Sequence, residues 1–157
     1  TTIFDVSQNA FGFQAPNLTN QEGLDFFVGN SLFNQNWVTA PASTSARDGL
    51  GPHFNARACS TCHFRDGRGR APEITGEINH GLLLRLSIPG TTANGSNIPE
   101  PTYGGQLQDQ SIQNAIPEGG FNVNYTEEQI TYPDGSIAYL RKPIYTITNL
   151  ESPVLSM

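Results

Sequence analysis

Apolar residues in the first half of the chain recur at the spacing of an amphipathic helix. Thr19-Asn-Gln-Glu22 precedes them and has the form of a capping box, which satisfies backbone donors at a helix start. The pattern predicts a helix that begins after Thr19 and ends near Phe33. The residues that recur at i, i+3, i+4 and i+8 are Leu24, Phe27, Val28 and Leu32. We expect this face to be ordinary core, the alternative being direct packing on a bound group.

The second half of the chain changes to the patterns of β-strands. The apolar run 81–88 ends at Pro89-Gly90 and predicts a short buried strand. Phe121, Val123 and Tyr125 alternate with asparagines, and Ile130-Thr-Tyr132 follows. Pro133-Asp-Gly-Ser136 then predicts a turn into further strands at 137–140 and 143–148. Stretches 34–45 and 91–103 are rich in turn-forming residues and predict loops. The expected fold class is α+β, with a helical region over residues 1–80 and an antiparallel β meander over 81–157, packed as one unit.

Composition predicts a loop-rich chain and limits its partners. The 157 residues include 16 glycines and 11 prolines, and only 14% are charged, against about 25% in a typical domain. The formal net charge of −6 argues against a nucleic acid partner. No stretch approaches the ~20 continuous apolar residues that a membrane span requires.

The run Cys59-Ser-Thr-Cys62-His63 points to the chemistry of the chain. Two thiols at this spacing can each add to a vinyl group of one porphyrin, and the histidine after the second thiol can bind the iron as proximal ligand. Both cysteines of the chain lie in this pentapeptide. The motif therefore predicts one covalent haem c, carried on a short helix that begins near Phe54. The helical region would then resemble a small cytochrome c.

Two other interpretations of this run agree less well with the sequence. A thioredoxin-like CxxC opens a helix after a buried strand, whereas residues 47–58 are turn-rich. A zinc site needs four ligands, and only His53 and His80 remain as further histidines. Haem attachment is favoured over both. Because that attachment takes place outside the bacterial cytoplasm, we expect a periplasmic or extracellular protein whose leader was removed before Thr1.

Several ordered blocks of the sequence resemble the amino-terminal half of the di-haem oxidoreductase family. That family is often labelled thiol oxidoreductases and is similar to the di-haem cytochrome c peroxidases and to the di-haem enzymes of methylamine utilisation. Besides the cysteine motif, the blocks that carry the resemblance are Phe26–Val38, Ala46–Pro52, Phe54–Arg57, Asp66–Gly69, Gly81–Ser87 and Tyr103–Asp109.

The resemblance implies peroxidase-like redox chemistry that needs two haems. Family members are longer and carry a second CxxCH, which this sequence lacks. The chain is therefore expected to be a truncated or cleaved half, or a one-haem relative. Three functions stay open: a haem module of a di-haem enzyme, a stand-alone one-haem electron carrier, and a structural subunit of an extended cytochrome assembly. The expected partners are a redox protein or the carboxy-terminal haem half, or further copies of the chain.

The residues around the motif provide candidates for holding the haem. Guanidinium groups match carboxylates bidentately, so one or two arginines are expected to hold the propionates, unless they form solvated ion pairs with Asp48 and Asp66. These arginines are Arg47, Arg57, Arg65, Arg68 and Arg70. Aromatic side chains could shield the haem from water, although ordinary core packing is the more common fate of such residues. These candidates are Trp37, Phe54 and Phe64.

The sixth iron position has three internal candidates. His53 is tethered too close to the motif to cross to the opposite face of its own porphyrin. His80 precedes a predicted strand that would hold it in place. Met157 would give a His/Met pair, but a chain terminus positions a ligand poorly. We rank His80 ahead of Met157, and an open or externally filled position ahead of both.

Overall fold

The fold is a loop-rich α+β structure, described here from a computed structural model for residues 2–77 and 80–151. The predicted fold class is confirmed. Two helices and two short 3-10 turns lie in the first half, and five of the six strands lie in the second. The helices are α1 (Asn20–Asn34) and α2 (Cys59–Cys62), and the turns are Ala10–Gly12 and Phe64–Asp66. The strands are β1 (His53–Phe54), β2 (Ser87–Thr91), β3 (Asn97–Pro99), β4 (Gln110–Ser111), β5 (Gly120–Thr131) and β6 (Ile137–Thr148).

Helix α1 begins as the sequence predicts, at a complete capping box. The Thr19 hydroxyl accepts a hydrogen bond from the Glu22 backbone N–H at 3.3 Å, and the Glu22 carboxylate accepts one from the Thr19 backbone N–H at 2.8 Å. Two of the otherwise unpaired donors at the helix start are thereby satisfied. The helix ends at Asn34, one residue beyond the predicted end.

The prediction that one face of α1 is core is wrong for the described part of the chain. Leu24, Phe27, Val28 and Leu32 are each 61–62% exposed, and Gly23 is the only buried residue of the helix. Among the described elements, the backbone of α1 lies beside that of α2 alone. Because α2 is a single turn, it is too short to cover this face.

The strands form three separate antiparallel pairs, β1–β4, β2–β3 and β5–β6, instead of one continuous meander. The longest pair is a hairpin in register from Gly120 opposite Thr148 to Thr131 opposite Ile137. Its turn lies at the predicted position, where Gly135 adopts a φ of 82° and donates its N–H to the Tyr132 carbonyl at 2.9 Å. Glycine suits this left-handed conformation because it has no Cβ.

The predicted buried strand at 81–88 is only partly formed. Leu84 and Leu86 exchange backbone hydrogen bonds with residues 105–107, around a single bridge between Arg85 and Gln106. Strand β2 begins only at Ser87 and is exposed along its length. The predicted loop over 91–103 contains β3, which pairs with β2. Apolar content alone indicated burial here, but the leucines are covered on one side only.

The small core contains residues from both halves of the chain. Its buried apolar residues are Phe54, Ala58, Leu107 and Val123. The β1–β4 pair joins His53 to Ser111 and Phe54 to Gln110, across the proposed boundary at residue 80. No helix in the described ranges is long and apolar enough to cross a membrane.

Replacing Thr19 by alanine should lower the free energy of unfolding by about 1 kcal/mol, because the alanine cannot accept the hydrogen bond from Glu22. Urea unfolding followed by circular dichroism measures this difference. Thr39→Ala is the matched control, since Thr39 lies exposed in the loop after α1. Equal unfolding curves for the Thr19 variant and the wild type would contradict the assigned cap.

Candidate functional site

The cysteine motif forms one helical turn that presents both thiols together. Helix α2 spans Cys59–Cys62, and the His63 backbone N–H closes the turn on the Cys59 carbonyl at 3.0 Å. Residues three apart on a helix lie on the same side, so the two sulfur atoms are neighbours. Both cysteines are free thiols; Cys59 is exposed and Cys62 is half-buried.

The environment of Cys62 favours the protonated thiol. Burial raises the pKa of the Cys62 thiol above its ordinary value, and the negative charges of Asp109 and Cys59 add to this shift. A protonated thiol is a weak nucleophile and a poor metal ligand. This environment does not favour spontaneous thiolate chemistry at Cys62.

The imidazole of His63 is fixed by the turn that follows it. The His63 Nδ1 lies 2.9 Å from the Gly67 carbonyl oxygen. Because a carbonyl only accepts, Nδ1 carries a proton and donates it, so Nε2 is the ring nitrogen that a metal can bind. This is the arrangement by which a second partner orients a histidine ligand. The Phe33 ring lies beside the imidazole, with 6.1 Å between ring centroids.

An unusual backbone turn brings the Gly67 carbonyl back to His63. Arg65 and Asp66 both adopt left-handed conformations, with φ of 53° and 60°. The turn is closed by two hydrogen bonds, from Asp66 N–H to the His63 carbonyl and from Gly67 N–H to the Phe64 carbonyl, each at 3.1 Å. Left-handed non-glycine residues are uncommon, and they persist where surrounding contacts impose them.

Both thiols and the imidazole line one open cavity of about 420 Å³, a volume typical of small-molecule sites. Trp37 and Phe54 form part of its wall. Trp37 is tied to the segment before the motif by a hydrogen bond from its backbone N–H to the Arg57 carbonyl at 2.8 Å. The Arg57 guanidinium lies over the Phe54 ring, 5.7 Å from its centroid, and also borders the cavity.

The other wall of the cavity comes from the second half of the chain, and sequence reasoning did not assign it. Leu83, Gln106 and Gln108 line this side. The signal was present in the alternating glutamines of the block Tyr103–Asp109, which supported only the family resemblance.

A buried amide connects the two walls. Asn55 is 8% exposed, and its side-chain N–H groups donate to the Leu107 carbonyl at 2.8 Å and to the Asp109 carboxylate at 3.0 Å. Its side-chain oxygen accepts from the Gln106 amide at 2.5 Å, and its backbone carbonyl accepts from the Gln110 amide. Every polar group of the Asn55 side chain therefore has a partner, as burial requires.

Several residues predicted from the sequence lie outside this cavity wall. Phe64 is 72% exposed, and the Arg65 guanidinium lies over its ring and donates to the Gln8 side chain. Arg70 forms ion pairs with Glu73 and Glu77, and hydrogen bonds from Arg70 and Glu73 lower the pKa of the Glu77 carboxyl to about 2. Arg47 and Arg68 are also outside the wall.

The candidate sixth ligands are separated by the fold. His53 lines the cavity, and its Nε2 lies 3.0 Å from the Ile116 carbonyl. His80 lies outside the wall, with its Nδ1 3.4 Å from the Gln110 amide nitrogen. Met157 lies outside the described residues. Within 2–77 and 80–151, no three His, Cys, Asp or Glu side chains are grouped to hold a metal ion, so the zinc alternative has no ligand set there.

The residues around the cavity fit a haem. They supply two neighbouring thiols, an imidazole with a free Nε2, a largely apolar wall and a cationic group at the rim. The geometry therefore defines a candidate haem site in a loop-rich α+β protein.

The chain belongs to the di-haem oxidoreductase family: a family model described as "Di-haem oxidoreductase, putative peroxidase" matches residues 1–154. The resemblance noted in the sequence is thereby confirmed, and the protein is a haem-associated redox protein of that family. Neither the curated proteins nor the solved structures gave a match.

A substitution at Gly69 should disturb the contact between the segment after the motif and the second half of the chain. A Cβ at Gly69 would lie 2.5 Å from the Gly81 carbonyl oxygen and 3.0 Å from that of Cys62. Because both are backbone atoms, the chain itself must shift, and Gly69→Ala should cost about 1–3 kcal/mol of unfolding free energy.

Denaturant unfolding of the Gly69 variant measures this cost. Gly51→Ala is the matched control, because a Cβ there would meet only the His53 carbonyl oxygen at 3.7 Å, an ordinary contact. If both variants unfold at the wild-type midpoint, the close approach of Gly69 to Gly81 is incorrect.

Proposed function

We propose that this chain is a c-type cytochrome electron-transfer module, the amino-terminal haem region of a di-haem oxidoreductase. One haem is held by thioether bonds to Cys59 and Cys62, with His63 as proximal ligand. The observation that carries this proposal is that both thiols and the His63 imidazole line one cavity, while Nδ1 of His63 is committed to the Gly67 carbonyl.

When bound, the haem supplies one-electron exchange between ferric and ferrous iron. The chain contributes the surroundings that tune this exchange. The hydrogen bond from His63 Nδ1 to Gly67 orients the imidazole and raises its basicity. Trp37, Phe54 and Leu83 reduce the polarity around the site, which disfavours the more highly charged oxidised state.

Arginines near the motif are the proposed partners of the propionates. No carboxylate lies within 4.0 Å of Arg47, Arg57, Arg65 or Arg68 in the part of the chain that the structure describes. Arg57 borders the cavity and is therefore the first candidate. The other three remain candidates for a propionate or for an acidic partner protein.

The polar wall of Gln106 and Gln108 faces the cavity from the side of the second half. The Gln106 amide is held in place by Asn55, at 2.5 Å. We propose that the sixth iron position is open or filled from outside the described chain, since His80 lies outside the cavity wall. Peroxidase-like catalysis would then require the second haem that the family description implies.

The partners proposed for this module are a redox protein or a second haem domain, in the periplasm or outside the cell. Apolar surface available to a partner includes the exposed face of α1 and, on β6, Ile144 and Ile147, which are 46% and 45% exposed. The same surface supports the alternative of a structural subunit that stacks with further copies. A stand-alone electron carrier is the third possibility, and a monomer in sedimentation experiments would favour it.

His63→Gly should separate attachment of the haem from its coordination. The variant should keep the mass of the polypeptide plus one haem, because the thioether bonds involve the cysteines alone. Its visible absorption spectrum should change, because the proximal nitrogen is lost. When imidazole is added, the spectrum of His63→Gly should become the same as the spectrum of the wild type at the same imidazole concentration.

His53→Gly is the matched control, because His53 lines the same cavity but lies outside the motif. This variant should keep the wild-type spectrum. A wild-type protein with the bare polypeptide mass would refute covalent attachment, and an unchanged spectrum in His63→Gly would refute the proximal role.

His80→Ala should leave the visible spectrum of the haem protein unchanged. The reason is that His80 lies outside the cavity wall, beside Gln110. Absorption spectra of the oxidised and reduced protein test this directly. Loss of a low-spin band in the variant would instead identify His80 as the sixth ligand.

A further inference from the structure

A second cavity of about 310 Å³ lies apart from the haem site and shares no lining residue with it. It is an open cavity bordered by the turn Ala10–Gly12, helix α1 and the turn Phe64–Asp66. The residues that line it are Phe11, Phe26, Gly29, Asn30, Phe33 and Asp66. Its volume is at the lower end of the range for ligand sites, which limits any occupant to a small group.

Three phenyl rings form most of this wall. Phe26 and Phe33 are two turns apart on α1, and Gly29 lies between them. A Cβ at Gly29 would meet no atom within 4 Å, so the missing side chain leaves room between the rings. The faces of aromatic rings carry partial negative charge and attract cations.

Asp66 adds a full negative charge to the same wall. Its Oδ1 accepts a hydrogen bond from the Asn30 side-chain N–H at 3.3 Å, and its backbone is held in the left-handed region. Among the described residues, no Lys, Arg or His nitrogen lies within 4.0 Å of its carboxylate. The carboxylate is half-buried and lacks a counter-charge, although a cation would be its strongest partner.

The part of the sequence that precedes Arg47 contains no lysine or arginine. Its acidic residues are Asp5, Glu22 and Asp25. The cation nearest in sequence to Asp66 is Arg65, whose guanidinium is engaged with Gln8 and the Phe64 ring. Among the described residues no guanidinium therefore pairs with the Asp66 carboxylate, and this carboxylate favours a positively charged occupant.

We propose that this cavity binds a small organic ammonium group, with the three phenyl rings around its alkyl substituents and the Asp66 carboxylate against its charge. The aromatic rings provide dispersion contacts to such a group, and the carboxylate compensates its charge. The group could belong to a free small molecule or to a lysine side chain of a partner protein. This proposal does not require that the proposed haem role is correct.

Calorimetric titration of the holoprotein with choline tests the proposal, with 3,3-dimethylbutan-1-ol as the neutral molecule of the same shape. Choline should bind saturably and the alcohol should not. Asp66→Asn should weaken choline binding roughly tenfold, because asparagine keeps the shape and tolerates the left-handed backbone but removes the charge. Asp25→Asn is the matched control, since Asp25 is exposed on α1 and hydrogen bonds to Gln21.

Phe33→Leu provides a second variant that does not depend on the folding of Asp66→Asn, and it should also weaken choline binding. Titration with an acetylated, amidated Gly-Lys-Gly peptide separates the two sources of the ammonium group. Binding of both choline and the peptide would support a lysine side chain of a partner protein. Binding of choline alone would support a free small molecule. Absence of choline binding, or equal binding of the neutral alcohol, would overturn the proposal. A loss of choline binding in Asp25→Asn as large as that in Asp66→Asn would also overturn the proposal.

Discussion

The candidate haem site depends on one buried amide. Asn55 joins the segment that carries the cysteine motif to the segment that carries Gln106 and Gln108, through four hydrogen bonds. Each bond contributes about 1 kcal/mol net, whereas each partner left unpaired in a buried position costs about 1–3 kcal/mol. The residues that these bonds join are 51–55 positions apart in the chain. The β1–β4 pair joins the same two segments through their backbones, so this strand pair and the Asn55 network together fix the separation of the walls.

Local signals were readable from the sequence, because each depends on residues close in the chain. The capping box of Thr19 and Glu22 fixes the start of α1, the turn at 133–136 fixes the β5–β6 hairpin, and the pentapeptide 59–63 defines the candidate site. The turn that aims His63 was not predicted, because nothing in its composition requires Arg65 and Asp66 to be left-handed. The requirement arises from hydrogen bonds within the folded turn.

Features that depend on distant contacts were missed or misassigned. The apolar face of α1 indicated a core helix, yet periodicity specifies which residues share a face and not whether another element covers it. The glutamine wall was missed because its partner, Asn55, lies far away in sequence. The leucines near 84 were assigned to a buried strand because apolar content suggested cover on both sides, which the fold does not provide. In each case the outcome was decided by what packs opposite the residue.

If both proposed sites are occupied, they should be energetically coupled. The Phe33 ring belongs to the wall of the ammonium cavity and also lies beside the His63 imidazole. A positive charge bound against Asp66 would disfavour the more highly charged ferric state and so raise the reduction potential. Thermodynamic linkage requires that the two equilibria affect each other by the same free energy. Reduction of the iron would therefore tighten ammonium binding by the factor that corresponds to the shift in reduction potential. Asp66→Asn should reduce both effects by the same factor, whereas a wild-type reduction potential that saturating choline leaves unchanged would mean that the ammonium group and the iron do not interact through this wall.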